Sequence, residues 1–182
     1  MLKVENTCLL VIDLQERLMP AISGKEDLLK NCAALIKGMK MLDVPILVTQ
    51  QYTKGLGPTV PQIADALGDF EPIEKVTFSC LAEKTFRSKL HEVDKDYVVV
   101  IGAEAHICVM QTVLDLLDKE HHNVYLAVDC VGSRREMDKK FAIRRIEAYG
   151  AVVTTLECVL FELLHTAEHP RRKEIQALVM DL

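Results

Sequence analysis

Several features that would place a sequence quickly are missing from this one. No apolar run approaches the roughly 20 residues of a membrane-spanning helix. The segment MLKVENTCLLVIDLQ has no signal-peptide layout, because an aspartate follows its apolar run directly and no small-residue cleavage site appears. Basic runs are scarce. The net charge is −5 and the pI is near 5.7, so the footprint of a nucleic-acid binder is lacking. The densest basic cluster, RRK at 171–173, reads as a solvated helix face. Six cysteines at 8, 32, 80, 108, 130 and 158 show no CxxC and no clustered spacing. That scatter argues against a zinc site and suits reduced thiols in a cytoplasmic compartment. Glycine-rich phosphate loops are missing too. GAEAH has one glycine where a dinucleotide fingerprint needs three, KGLGPT does not follow the first strand, and there is no P-loop. The expectation is therefore no cofactor, no metal, no nucleic-acid partner and no membrane partner.

What is present is ordinary globular composition, 49% apolar and 27% charged over 182 residues. Such a chain fits one domain, residues 1–182, long enough to bury a full core. Short apolar runs alternate with amphipathic stretches, and no repeat or linker interrupts them. TCLLVID (7–13) has the continuous apolarity of a strand buried on both faces. Leu28, Leu29, Cys32, Leu35, Ile36, Met39 and Leu42 follow helical spacing and predict a helix over 25–43. Further strands are expected at 44–51, 70–76, 97–102, 123–129 and 151–157. Helices are expected at 61–67, 81–90 and 138–149, after Cys108 on the stripe Met110, Val113, Leu114 and Leu117, and in the C-terminal tail. Strands alternating with helices imply right-handed βαβ units. The predicted fold is a three-layer α/β/α sandwich with a mostly parallel, Rossmann-like sheet of about six strands.

In such sheets ligands bind beyond the carboxyl ends of the strands. Asp13 ends the first strand, Lys75 lies near the end of the third, and Cys108 follows the fourth. Singly, each has a plain structural reading: a turn aspartate, a solvated lysine, a small buried thiol. Together they make chemical sense. A cysteine in a first helical turn feels the positive end of the helix dipole, and a nearby ammonium would lower its pKa further. A carboxylate between them can orient the lysine and take the thiol proton. No Ser, Thr, Asn or Asp within 103–107 caps the helix, which leaves its first amides for an oxyanion. His106 is two residues from Cys108, a spacing at which side chains do not face each other, so it reads as structural. Asp129 reads as a turn or cap residue, Ser133 as a lesser candidate, and Cys8, Cys32, Cys130 and Cys158 as buried and inert. Gln50, Gln51 and Tyr52 leave the second strand toward the pocket as substrate contacts, and Phe78 is a candidate apolar wall.

The elements LLVIDLQ, EKVTFSC, GAEAHICV and GAVVTTLE, in this order over nearly the whole chain, resemble the isochorismatase-like cysteine hydrolase superfamily. The subgroup they look closest to is the small YcaC-like and isochorismatase-domain-containing proteins. The resemblance implies an Asp–Lys–Cys triad at Asp13, Lys75 and Cys108. It also implies a non-proline cis peptide at Ala103–Glu104 and an oxyanion hole from the backbone amides of Glu104 and Cys108, with Ala103 beside the substrate. It implies hydrolysis of a C–N bond in a small amide or N-carbamoyl compound through a thioester, and a homo-oligomer, dimer or larger. The metal-binding nicotinamidase branch is disfavoured, since TQQYTKGLGPTV carries no His or Asp. Two other readings stand beside the hydrolase: a catalytically silent oligomeric scaffold of the same fold, and a thiol redox protein.

Overall fold

The computed structural model describes residues 1–182. Six strands form one sheet: β1 (Thr7–Ile12), β2 (Ile46–Gln51), β3 (Ile73–Lys75), β4 (Tyr97–Ala103), β5 (Asn123–Gly132) and β6 (Val152–Thr154). Their spatial order is β3-β2-β1-β4-β5-β6 and every neighbouring pair is parallel. The helices are α1 (Lys25–Met41), α2 (Thr53–Leu56), α3 (Pro61–Leu67), α4 (Lys84–Val93), α5 (Met110–Asp118), α6 (Glu136–Tyr149), α7 (Leu156–Leu164) and α8 (Arg172–Met180).

Side chains of the central strands alternate between two cores. Leu9, Val11, Val99 and Ile101 face a cluster filled from α1, α3, α7 and α8. Cys8, Leu10, Ile12, Val98 and Val100 face a second cluster filled from α4, α5 and α6. Both faces are thus covered, which is why β1 and β4 read as unbroken apolar runs. The chain builds outward from β1 to β3, then crosses back to start β4 on the other side of β1. That reversal marks the place where such sheets hold ligands.

β1 and β4 approach unusually closely at this point. Gly102 pairs with Ile12 and has φ 125°, and a Cβ there would lie 2.0 Å from the Ile12 carbonyl oxygen. Only glycine satisfies both constraints. In β5, four residues (127–130) lie opposite the single residue Ile101 of β4, a bulge that ends with Val131 back in register beside Gly102.

Several sequence-based bounds shift. The expected strand over 70–76 shrinks to β3, because Pro72 has no N–H for the ladder. That over 151–157 shrinks to β6, because the Thr155 hydroxyl accepts from the Cys158 amide and starts α7. Cys158 is therefore exposed on a helix rather than buried on a strand. The helix expected over 81–90 becomes a 3₁₀ turn at Cys80–Ala82 and then α4, where the Glu83 carboxylate caps the Thr85 amide. After Cys108 the buried stripe is Val109, Val113 and Leu116, while Met110, Leu114 and Leu117 are half-buried. The cause is a π-helical turn at Ala105–Val109, which adds a residue to one turn and rotates the face.

Gly102→Ala is expected to lower unfolding free energy by at least about 2 kcal/mol, from the added contact and the strained φ together. Denaturant titration measures this. A loss under about 0.5 kcal/mol would mean that β1 and β4 can separate freely.

Candidate active site

The carboxyl ends of β1, β2 and β3 and the turn after β4 bring Asp13, Lys75 and Cys108 together. Asp13 leaves β1 at φ 53°, a left-handed conformation that aspartate tolerates better than most residues. Its carboxylate is 1% exposed and takes two close donors: Lys75 Nζ on Oδ2 at 2.7 Å and Thr49 Oγ1 on Oδ1 at 2.8 Å. The Lys75 ammonium is wholly buried and also donates to Gln51 Oε1 at 2.7 Å, Thr77 O at 3.2 Å and Phe78 O at 3.3 Å. Cys108, 7% exposed, lies in the π-helical turn with Sγ 3.9 Å from Gln51 Oε1, the same oxygen that accepts from Lys75. The lysine is thus a fully satisfied buried cation, not the solvated residue its type alone suggests.

The electrostatics reverse one expectation. Burial, followed by the Asp13 charge, pushes the Cys108 thiol up to about 12, and Lys75 pulls it down by less. The direction is opposite to that expected of a helix-terminus thiol beside an ammonium, because desolvation and a carboxylate outweigh the ammonium. Burial pulls Lys75 down, but Asp13, Cys80 and Cys108 outweigh it and the net shift is upward. The site rests as an ion pair beside a neutral thiol.

Other expected residues fall in different places. Gln51 joins the network, and its own amide nitrogen donates to Val76 O at 3.0 Å. Gln50 does not face the thiol in the same way: its amide is taken by Thr59 and Thr53 at 2.9 and 3.0 Å, which ties down the loop after β2. Tyr52, Val76 and Phe78 are 52%, 71% and 55% exposed. Ala103 is buried in the core, and the Ala103–Glu104 peptide is cis. The Glu104 amide donates to no acceptor within the protein. His106 shares a hydrogen bond with Ser133 Oγ at 3.0 Å, away from the thiol. Asp129 accepts from the Leu156 amide and so anchors α7. No group of three or more His, Cys, Asp or Glu is arranged to hold a metal, and no helix is long and apolar enough to cross a membrane.

Sequence reading missed Thr49, Gln15 and Cys80. Thr49 is the first polar residue of β2, in register with Ile12 and so next to Asp13, a signal that pairing would have exposed. Gln15 accepts from the Gln51 amide and donates to Gln51 O and Gly57 O, which fixes the end of β2. Cys80 is a second buried thiol beside the pair, pushed up to about 11 by burial despite Lys75. Its amide is held by Thr112 Oγ1 at 3.0 Å.

The isochorismatase domain matches residues 7–158. A Xenopus laevis protein, isochorismatase domain-containing protein 2, is 35% identical over 97% of this chain and 84% of its own length. The MAR1 ribonuclease structure from Caenorhabditis elegans superposes with TM-score 0.92 at 36% identity, covering 98% of this chain and 92% of that one. YcaC from Escherichia coli, reported as an octameric hydrolase of unknown specificity, superposes with TM-score 0.87 over 99% and 95% of the two chains. At 20% identity that match speaks to the fold alone. The sheet and its flanking helices are those of an isochorismatase-type α/β fold, whose members are generally hydrolases. This chain belongs to the isochorismatase family.

Iodoacetamide alkylation of Cys108, followed by peptide mass mapping, is expected to accelerate about tenfold per pH unit from pH 7 to about 11, without a plateau near 8.5. Asp13→Asn removes the charge that raises the thiol pKa and should speed alkylation at fixed pH; Lys75→Met should slow it. A plateau near about 8.5 that neither substitution moves would contradict both neighbour assignments.

Proposed function

We propose that the protein is a cysteine hydrolase that cleaves the C–N bond of a small amide or N-carbamoyl substrate. The observation that carries this reading is the buried Asp13–Lys75 ion pair with the Cys108 thiol beside it. A carboxylate this costly to bury is expected where proton transfer requires it. Asp13 accepts the Cys108 proton as Sγ attacks the carbonyl carbon. With the thiol at about 12, thiolate arises during attack rather than before it. The tetrahedral oxyanion is received by the amides of Glu104 and Cys108, the first of which has no competing protein acceptor. Asp13 then protonates the leaving nitrogen, ammonia departs, and a thioester remains. Water attacks the thioester, Asp13 takes its proton and returns it to sulfur. Lys75 keeps Asp13 oriented throughout by its hydrogen bond to Oδ2. Gln51 keeps the ammonium in place, and the exposed Tyr52, Val76 and Phe78 supply an apolar rim for the substrate.

Residues 1–182 act as a single domain in this reading, in a reducing compartment such as the cytoplasm. A homo-oligomer, as reported for YcaC, is expected. The ribonuclease description of the worm relative supplies a second reading, cleavage of RNA. The net charge of −5 and the absence of a basic run count against it. A redox role is weakened by the raised thiol, since oxidation follows thiolate character.

A panel of small primary amides and N-carbamoyl compounds, assayed for ammonia, is expected to yield a substrate whose turnover falls by at least about 10³-fold in Cys108→Ala. Silence across the panel with an intact oligomer would favour the scaffold reading. RNA degradation that disappears with Cys108 would favour the ribonuclease.

A further inference from the structure

The segment that follows β5 grips the nucleophile turn through its side chains. Glu104, 6% exposed, accepts on Oε2 from both the Arg134 amide at 2.9 Å and Arg134 Nε at 3.0 Å. His106 shares its 3.0 Å hydrogen bond with the fully buried Ser133. On its other side the gripping segment is anchored. The Ser133 carbonyl accepts from the Ser23 amide at 3.1 Å, and a Cβ at Gly132 would strike Leu28 and Ile22 at 2.6 and 2.7 Å. The Glu104 carbonyl in turn accepts from the amides of Ile107 and Val109 at 3.0 and 3.2 Å. Glu104 is therefore fixed by its carboxylate and its carbonyl, while its amide stays free.

As a stabilising device this is a poor arrangement. Arg134 is 58% exposed and returns little from an ion pair screened by solvent, whereas the Glu104 carboxylate is almost wholly desolvated. As a positioning device it is well placed, since it holds the residue whose amide faces the reacting centre in the proposed hydrolase.

We propose that Glu104 and His106 are positioning residues: clamped on Arg134 and Ser133, they fix the direction of the Glu104 amide and thereby set oxyanion stabilisation at Cys108. This rests on the cysteine-hydrolase reading. It goes beyond that reading by giving the two side chains a role in the chemistry without contact with substrate.

Two electrophiles separate the role from mere folding. p-Nitrophenyl acetate acylates a thiol through a tetrahedral oxyanion: the S–C bond forms, the C–O bond breaks, and p-nitrophenolate leaves. Iodoacetamide alkylates by direct displacement of iodide and forms no oxyanion. In full-length protein, Glu104→Ala is expected to lower the Cys108 acylation rate by about 10²-fold while leaving the alkylation rate and its pH profile unchanged. Glu104→Gln keeps an acceptor for Arg134 and is expected to stay within about threefold of wild type, and Ser133→Ala to show the same split at about tenfold. An acylation-to-alkylation ratio that stays at the wild-type value in Glu104→Ala and Ser133→Ala overturns the clamp alone. Both rates falling in parallel also overturn it, in favour of a folding role. Absence of acylation in the wild type overturns the hydrolase reading and the clamp with it.

Discussion

The buried pair of Asp13 and Lys75 is the constraint on which the rest of the site depends. Removing an ion from water costs several kcal/mol even after relaxation, and that cost is offset only when attraction and hydrogen bonds are well aligned. Here the ammonium meets a carboxylate, a side-chain amide and two backbone carbonyls, and the carboxylate meets the ammonium and a threonine hydroxyl. Those partners come from β1, β2 and the segment after β3. The pair therefore requires three strand ends in register. A neutral buried Cys108 fits beside it without adding a third charge.

Fold and site meet at the close approach of β1 and β4. Gly102 allows the two backbones to come together beside Ile12, one residue before Asp13 and just ahead of the turn that carries Cys108. The bulge in β5 brings the following segment back beside β4 in time to hold Glu104 and His106. The raised thiol then becomes intelligible. In the proposed hydrolase a proton passes from sulfur to Asp13 during attack, so no standing thiolate is needed, and a protonated thiol is less open to oxidation.

Much of this was legible in the sequence, for physical reasons. The apolar runs of β1 and β4 announce burial on both faces, so the parallel three-layer fold follows from periodicity. Asp13, Lys75 and Cys108 stand at strand ends, where α/β sheets place chemistry. Local competition hid the rest. Pro72 shortened β3, the Thr155 cap replaced the end of a strand with a helix, and the π-helical turn rotated the stripe of α5 by one position. Gln50 and Gln51 are neighbours of one residue type, yet alternation along β2 sends one into loop packing and the other to Lys75. The upward push on the Cys108 thiol was not legible, because dipole and charge partners can be counted in a sequence, whereas desolvation depends on the packed result.

The most direct measurement is a double-mutant cycle on the pair, with unfolding free energies for wild type, Asp13→Asn, Lys75→Met and the combined variant. If the pair is the buried keystone described here, each single change leaves an unpaired or half-satisfied group and costs about 3–5 kcal/mol, while the double change costs clearly less than their sum. Additive costs of under about 1 kcal/mol each, the behaviour of a surface pair, would contradict it.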